Sequence, residues 1–171
     1  IGLARTAALA RAEPSRRFLF LVVEICGLTF RLGDLSKGNA VAAALFGDGA
    51  AGAVIDCQGE GTAITGWGEH TWPDSLDVMG WRVLDDGLGV MFARDIPRIV
   101  RERLRAATVD FLSAHGIELK DIDTFVCHPG GAKVIEALED IFELGSGGLA
   151  HSRAVLRRYG NMSAPTALFV L

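Results

Sequence analysis

Two periods of apolar positions alternate along the chain. Residues 2–12 are rich in Ala, Leu and Arg and predict a helix. The run from Arg17 to Cys26, RFLFLVVEIC, is almost unbroken in its apolar character and has the length of a strand. That pattern predicts a strand buried on both faces, as in layered α/β folds. Val41–Phe46 predicts a short buried helix, Ala50–Cys57 a second buried strand, and Thr62–His70 a third strand exposed on one face. Trp72–Asp86, rich in Gly and Asp, predicts a loop. The clearest helix starts at Asp95-Ile96-Pro97, with Asp95 as N-cap and Pro97 in the first turn. Its apolar positions Ile96, Ile99, Val100, Leu104, Ala107 and Phe111 keep the helical period as far as Gly116. Beyond it the pattern predicts a short strand at Asp123–Cys127 and a helix at Gly131–Leu144. A turn at Ser146-Gly147-Gly148, a helix at His151–Arg158 and a closing buried segment at Met162–Leu171 follow. No internal repeat or low-complexity linker interrupts the series, so residues 1–171 predict a single α/β domain.

Composition narrows the class. Half of the residues are apolar, 22% are charged, and the mean hydropathy is +0.31. The longest apolar stretches, such as Phe18–Val23, fall far short of the roughly 20 residues of a membrane span, so the excess predicts core or interface. Net charge is −4 with no Lys/Arg run, which argues against nucleic acid as a partner. Arg98, Arg101, Arg103 and Arg105 are spaced as the solvated face of one helix. The chain opens on Ile1-Gly2-Leu3 and closes on the apolar Ala167–Leu171. These ends predict a piece of a larger protein, a single incomplete domain with part of its core completed elsewhere. Cys26, Cys57 and Cys127 are an odd number without metal spacing, which predicts reduced thiols in a cytoplasmic protein and no zinc site.

Candidate chemistry lies in two loops. In Cys127-His128-Pro129-Gly130-Gly131, a His leaves the end of a predicted strand, Pro129 fixes the turn, and two glycines let the next helix approach. In Tyr159-Gly160-Asn161-Met162-Ser163-Ala164, an Asn after a glycine opens the closing segment. Alone, His128 would read as a capping or core histidine and Asn161 as a turn residue. Together they could donate two hydrogen bonds to one oxygen, the arrangement of an oxyanion hole.

Three segments in order carry a resemblance: Ala44-Leu45-Phe46-Gly47-Asp48-Gly49-Ala50-Ala51, then His128-Pro129-Gly130-Gly131, then Gly160-Asn161-Met162-Ser163. The chain resembles the chalcone-synthase-like type III polyketide synthases of the thiolase superfamily, along its whole length but over only about half of a complete member. The resemblance implies a thiolase-like layered αβαβα fold, of which this chain is mainly the C-terminal half. It implies decarboxylative Claisen condensation of malonyl-CoA onto an acyl-CoA starter, with CoA thioesters as substrates and no metal or redox cofactor. It also implies a homodimer, completed by an N-terminal half of the same protein. Related ketoacyl synthase III enzymes carry Gln-Ala-Asn after their His, where this chain has Pro129-Gly130-Gly131. A non-catalytic fragment is the remaining alternative.

By the same resemblance, His128 and Asn161 match two members of a Cys-His-Asn site that decarboxylates malonyl-CoA and stabilises the enolate. The nucleophilic Cys is expected about five residues before Ile1, and neither Cys26, Cys57 nor Cys127 matches it, which predicts a chain inactive by itself. Phe46 matches an aromatic gate, while Cys26, Thr29, Val90 and Ser163 match cavity-lining positions. Trp81 matches one that is often glycine in plant members. The segments Met79–Val83 and Phe92–Pro97 look more like bacterial members, which make pyrones, resorcinols or polyhydroxylated aromatics.

Overall fold

The computed structural model describes residues 1–59, 61–93 and 95–171. Helix α1 (Gly2–Ala12) leads into strand β1 (Phe18–Glu24) and a 3-10 turn at Cys26–Thr29. Helix α2 (Lys37–Leu45) follows, capped by Ser36, whose Oγ accepts from the Asn39 backbone N–H at 3.2 Å. Strand β2 (Gly49–Ile55) returns antiparallel to β1, with Phe18 opposite Ile55 and Glu24 opposite Gly49. One face of this pair, with Phe20 and Val22, lies under α1 and the C-terminal helix α7 (Ala164–Val170). On the other face Leu19, Leu21 and Val23 are each 64% exposed. The expectation of burial on both faces therefore fails here: the strand is apolar on both sides, and one side is uncovered among the described residues.

A second hairpin pairs β3 (Met79–Leu84) with β4 (Gly87–Phe92), with Leu84 opposite Gly87. Trp72–Asp86, expected as loop, holds a strand instead: its closing Asp85-Asp86 pair and the following Gly87, at φ +132°, make a hairpin turn that Met79–Leu84 feeds. Two other predicted strands are not ladders: Thr62–His70 and Asp123–Cys127 have no pairing partner among the described residues. The first is pinned instead to α1, where Arg11 donates to the Ile64 carbonyl at 2.7 Å and stacks 4.7 Å over the Trp67 ring.

The predicted long helix is α3 (Ile96–Ile99), a π-helical stretch at Val100–Leu104 and α4 (Arg105–Ala114) in continuation. Asp95 flanks its start, but its carboxylate accepts from Arg98 at 2.7 Å and makes no cap bond. Val100 and Leu104 pack on α5 (Ala132–Ile141), whose Ile135, Leu138 and Ile141 form the main core with Phe142 and Leu149. Phe125 stacks on Phe142 at 4.7 Å and holds the 123–127 segment against this core. Arg101 pairs with Asp140 at 2.8 Å and Arg105 with Glu143 at 3.0 Å, so the arginine face is solvated and tied to α5.

The turn from α5 into α6 (Ala150–Tyr159) is organised by one carboxylate. Buried Glu139 accepts from the backbone N–H groups of Gly147 and Leu149, both at 3.2 Å, and pairs with Arg153 at 2.5 Å. The Arg153 bond, the pair's attraction and the two N–H groups hold its pKa below the ordinary Glu range, against the desolvation that would raise it. A depressed folded-state pKa gives stability that is present above about pH 4.5 and lost as the pH falls through the lower folded value. Glu139→Ala is expected to cost about 2 kcal/mol at pH 7, by stranding the Leu149 N–H, and to flatten the acid limb of melting temperature against pH. Unchanged melting curves at pH 3 to 7 would contradict this role for the carboxylate.

Candidate active site

One crossing builds the site. Gly160 ends α6 with φ +73° and ψ −166°, and the chain then passes the end of α2. There the Asn161 N–H donates to the Leu45 carbonyl at 2.8 Å, the Gly47 N–H donates to the Asn161 carbonyl at 3.0 Å, and Phe46 and Asn161 form a parallel bridge. The GDGA and GNMS segments, more than a hundred residues apart, are thus side by side. Glycine is required at both: a Cβ on Gly160 would stand 2.8 Å from the Leu45 carbonyl oxygen, and one on Gly47 2.6 Å from that of Tyr159.

Asn161, 5% exposed, has a fixed amide orientation. Its Oδ1 accepts from the Ser163 N–H at 2.8 Å, which leaves Nδ2 to donate to the Gly130 carbonyl at 3.3 Å. An amide NH2 has two donors, so one hydrogen is left for a ligand. Gly130 is the third residue of His128-Pro129-Gly130, so this bond ties the Asn loop to the His loop.

His128 and Asn161 both open onto a cavity of about 900 Å³, lined mainly by apolar side chains. His128 is exposed where it borders the cavity, and partial desolvation by the groups around it lowers its pKa. The neutral imidazole is therefore favoured, and it can donate one N–H to an oxygen and accept a proton from a thiol. Among the described residues no protein group hydrogen-bonds either ring nitrogen.

The same cavity receives Phe46, Trp81, Val90 and Ser163. Phe46 stacks on Phe92 at 5.5 Å and lies 6.5 Å from Trp81. Trp81 is 45% exposed, a wall residue of this space and not a core residue. Cys26 and Thr29 are not in the lining: Cys26 is buried behind Ser163, Sγ to Oγ 3.6 Å, and the Thr29 hydroxyl turns back to the Cys26 carbonyl at 2.7 Å. Ser163 holds φ +56° and ψ −127°, a strained backbone for a residue with a side chain, next to Asn161. Sequence reasoning missed Phe92, Ile96 and Lys133 as lining residues; the only sequence signal for Lys133 is its place in the first turn after His-Pro-Gly-Gly. Of the other histidines, His115 ends α4 with Nδ1 on the Phe111 carbonyl at 2.8 Å, and His70 stacks on Trp72.

Burial pushes the Cys127 thiol up to about 11, so it stays protonated near neutrality. Cys57 is exposed, with Sγ directed to the Ala10 carbonyl at 3.3 Å.

Residues 68–171 match the family described as chalcone and stilbene synthases, C-terminal domain, and the chain belongs to that family. It is 39% identical to a 1,3,6,8-tetrahydroxynaphthalene synthase of Streptomyces peucetius subsp. caesius, over 99% of this chain and 46% of that protein. Its fold superimposes on the crystal structure of the tetrahydroxynaphthalene synthase of Streptomyces coelicolor A3(2), a bacterial type III polyketide synthase. The TM-score is 0.92 at 27% identity, over 99% of this chain and 49% of that one. The C-terminal type III polyketide synthase domain of Steely1 from Dictyostelium gives a TM-score of 0.87 at 25% identity, over 99% and 49%. The fold is thus the thiolase-like α/β fold of type III polyketide synthases, and the chain spans about half the length of these relatives. No helix among the described residues is long and apolar enough to cross a membrane.

Proposed function

We propose that the protein carrying this chain is a polyketide synthase that condenses malonyl-CoA, with loss of CO2, onto an acyl-CoA starter. The observation that carries the reading is the convergence of His128 and the oriented Asn161 amide on one apolar cavity. In the reaction the C–C bond to the malonyl carboxylate breaks and CO2 leaves. Its electron pair becomes a thioester enolate, whose oxygen takes hydrogen bonds from His128 and Asn161 Nδ2. The enolate carbon then attacks the thioester of an acylated enzyme thiol, and the thiolate departs. A neutral amide and a neutral imidazole suit this step, because they stabilise the oxygen without a strong acid that would quench the carbanion. The acylated thiol is a residue other than Cys26, Cys57 and Cys127, none of which matches the nucleophile's place in the family resemblance or lines the cavity that His128 and Asn161 share. CoA thioesters are the substrates, no metal or redox cofactor takes part, and the enzyme is a cytoplasmic homodimer. The likeness of Met79–Val83 and Phe92–Pro97 to bacterial members supports pyrones, resorcinols or polyhydroxylated aromatics as the product class.

The test is incubation of the protein, expressed from its complete reading frame, with malonyl-CoA and a series of acyl-CoA starters under mass spectrometry. One acyl group on a thiol, with CO2 release and an extended product, is expected. Intact malonyl-CoA after prolonged incubation would refute the reading. Trp81→Ala refines it: a half-exposed wall residue should cost about 1 kcal/mol, less than the roughly 3–5 of a buried Trp, while the product spectrum shifts to longer chains. A large fall in melting temperature with unchanged products would contradict the wall role.

A further inference from the structure

The cavity wall formed by the β3–β4 hairpin is held from outside by an ion pair that the reaction does not use. Arg31 follows the 3-10 turn, and its guanidinium grips Asp86 in the hairpin turn: Nη2 lies 2.8 and 2.7 Å from the two carboxylate oxygens and Nε 3.2 Å from Oδ2. Its third nitrogen, Nη1, bonds Asp34 at 3.0 Å. The backbone that presents Arg31 is itself tied down: buried Asn39 on α2 donates to the carbonyls of Arg31 and Asp34 at 2.8 and 2.7 Å. The guanidinium passes beside Gly89 of β4, where a Cβ would lie 3.5 Å from Nη1 and 2.9 Å from Leu84. The Arg31 side chain is only 18% exposed, although Asp86 is 65% exposed. Each partner favours the other's charged form, chiefly through these hydrogen bonds.

The hairpin brings Trp81, Val90 and Phe92 into the cavity, and at its other end Phe92 stacks on Phe46. Besides the packing of β4 on α2 and on the 3-10 turn, it is therefore fixed by an aromatic stack near the site and by the Arg31–Asp86 pair at its turn. We propose that Arg31 is a positioning residue that, through Asp86, holds the β3–β4 hairpin over the cavity and so limits the length of chain that can grow there. The positioning follows from the contacts alone; the consequence for chain length rests on the condensing activity proposed above.

The test compares Asp86→Ala with Asp85→Ala, which removes the same charge from the same turn, and with Asp86→Glu, in the protein expressed from its complete reading frame. Amide hydrogen exchange over residues 79–92 should speed up about fivefold in Asp86→Ala, stay unchanged in Asp85→Ala and return toward wild type in Asp86→Glu. High salt should mimic the Asp86→Ala effect by screening the pair. Malonyl-CoA decarboxylation should stay within about twofold of wild type while the ratio of longer to shorter products changes about fivefold. Equal exchange in the Asp86→Ala and Asp85→Ala variants overturns the positioning role. Faster exchange with an unchanged product ratio overturns the control of chain length. Wild-type protein that never decarboxylates malonyl-CoA overturns the proposed activity and the control of chain length with it, and the exchange comparison then still decides the positioning role.

Discussion

Replacing His128 or Asn161 by alanine is expected to lower malonyl-CoA decarboxylation at least about a hundredfold with the fold retained, because each removes one donor to the enolate oxygen. The two losses should not add, since both donors act on the same enolate oxygen in one step. The conservative variants separate chemistry from scaffolding. Asn161→Asp keeps an acceptor for the Ser163 N–H but loses the Nδ2 donor and the bond to the Gly130 carbonyl, so it should be as slow as the alanine variant. His128→Gln keeps an amide donor on a similar reach and should recover part of the rate. The pH profile adds a check on the imidazole. Desolvation depresses its pKa, so the neutral form persists as the pH falls, and any acid limb due to His128 should lie below pH 6.5. A variant that folds normally and decarboxylates at the wild-type rate would remove that residue from the site.

The site was legible in the sequence as two motifs and illegible as a place. His-Pro-Gly-Gly and Gly-Asn-Met-Ser name residue types suited to an oxyanion hole, but periodicity reports only on neighbours in the chain. It carries nothing about the Phe46–Asn161 bridge or the Asn161–Gly130 bond that bring the motifs together. The resemblance assigns Cys26 and Thr29 to the cavity lining by matched position, which does not say where a side chain turns: here Cys26 meets Ser163 and the Thr29 hydroxyl bonds back within the 3-10 turn. Helices α1, α5 and α6 lie close to where their apolar spacing puts them, because a helix satisfies its own backbone, whereas α2 begins at Lys37, four residues before the expected Val41, behind a Ser36 cap that apolar spacing does not report. Strands do not satisfy their own backbone, and here the reading erred in both directions. Thr62–His70 and Asp123–Cys127 have strand composition without a ladder partner among the described residues, while β3 was hidden in an Asp-rich stretch whose Asp85-Asp86-Gly87 turn chemistry was the real signal. The closing apolar segment is short enough to fit strand or helix by pattern. Pro165 in the first turn of α7 is what marks it as a helix.

Gly160→Ala should combine a loss of stability with a loss of activity. The residue sits at φ +73° and ψ −166°, a region that is open to glycine and costs other residues about 1–3 kcal/mol. Space is lacking as well: the added Cβ would be 2.8 Å from the Leu45 carbonyl oxygen, a backbone atom at the end of α2 that cannot swing aside. That carbonyl accepts the Asn161 N–H, so relief of the clash must pull the Asn161 loop away from Phe46 and Gly47. A displacement of about 1 Å at Asn161 is enough to cost roughly a hundredfold in rate. Gly33→Ala is the control, since a Cβ there meets nothing within 4 Å, and it should change stability by less than about 0.5 kcal/mol. The discriminating measurement is decarboxylation at a temperature well below the melting midpoint of the Gly160→Ala protein. If the folded variant there turns over at the wild-type rate, the crossing of α6 past α2 supports the fold without setting the position of Asn161.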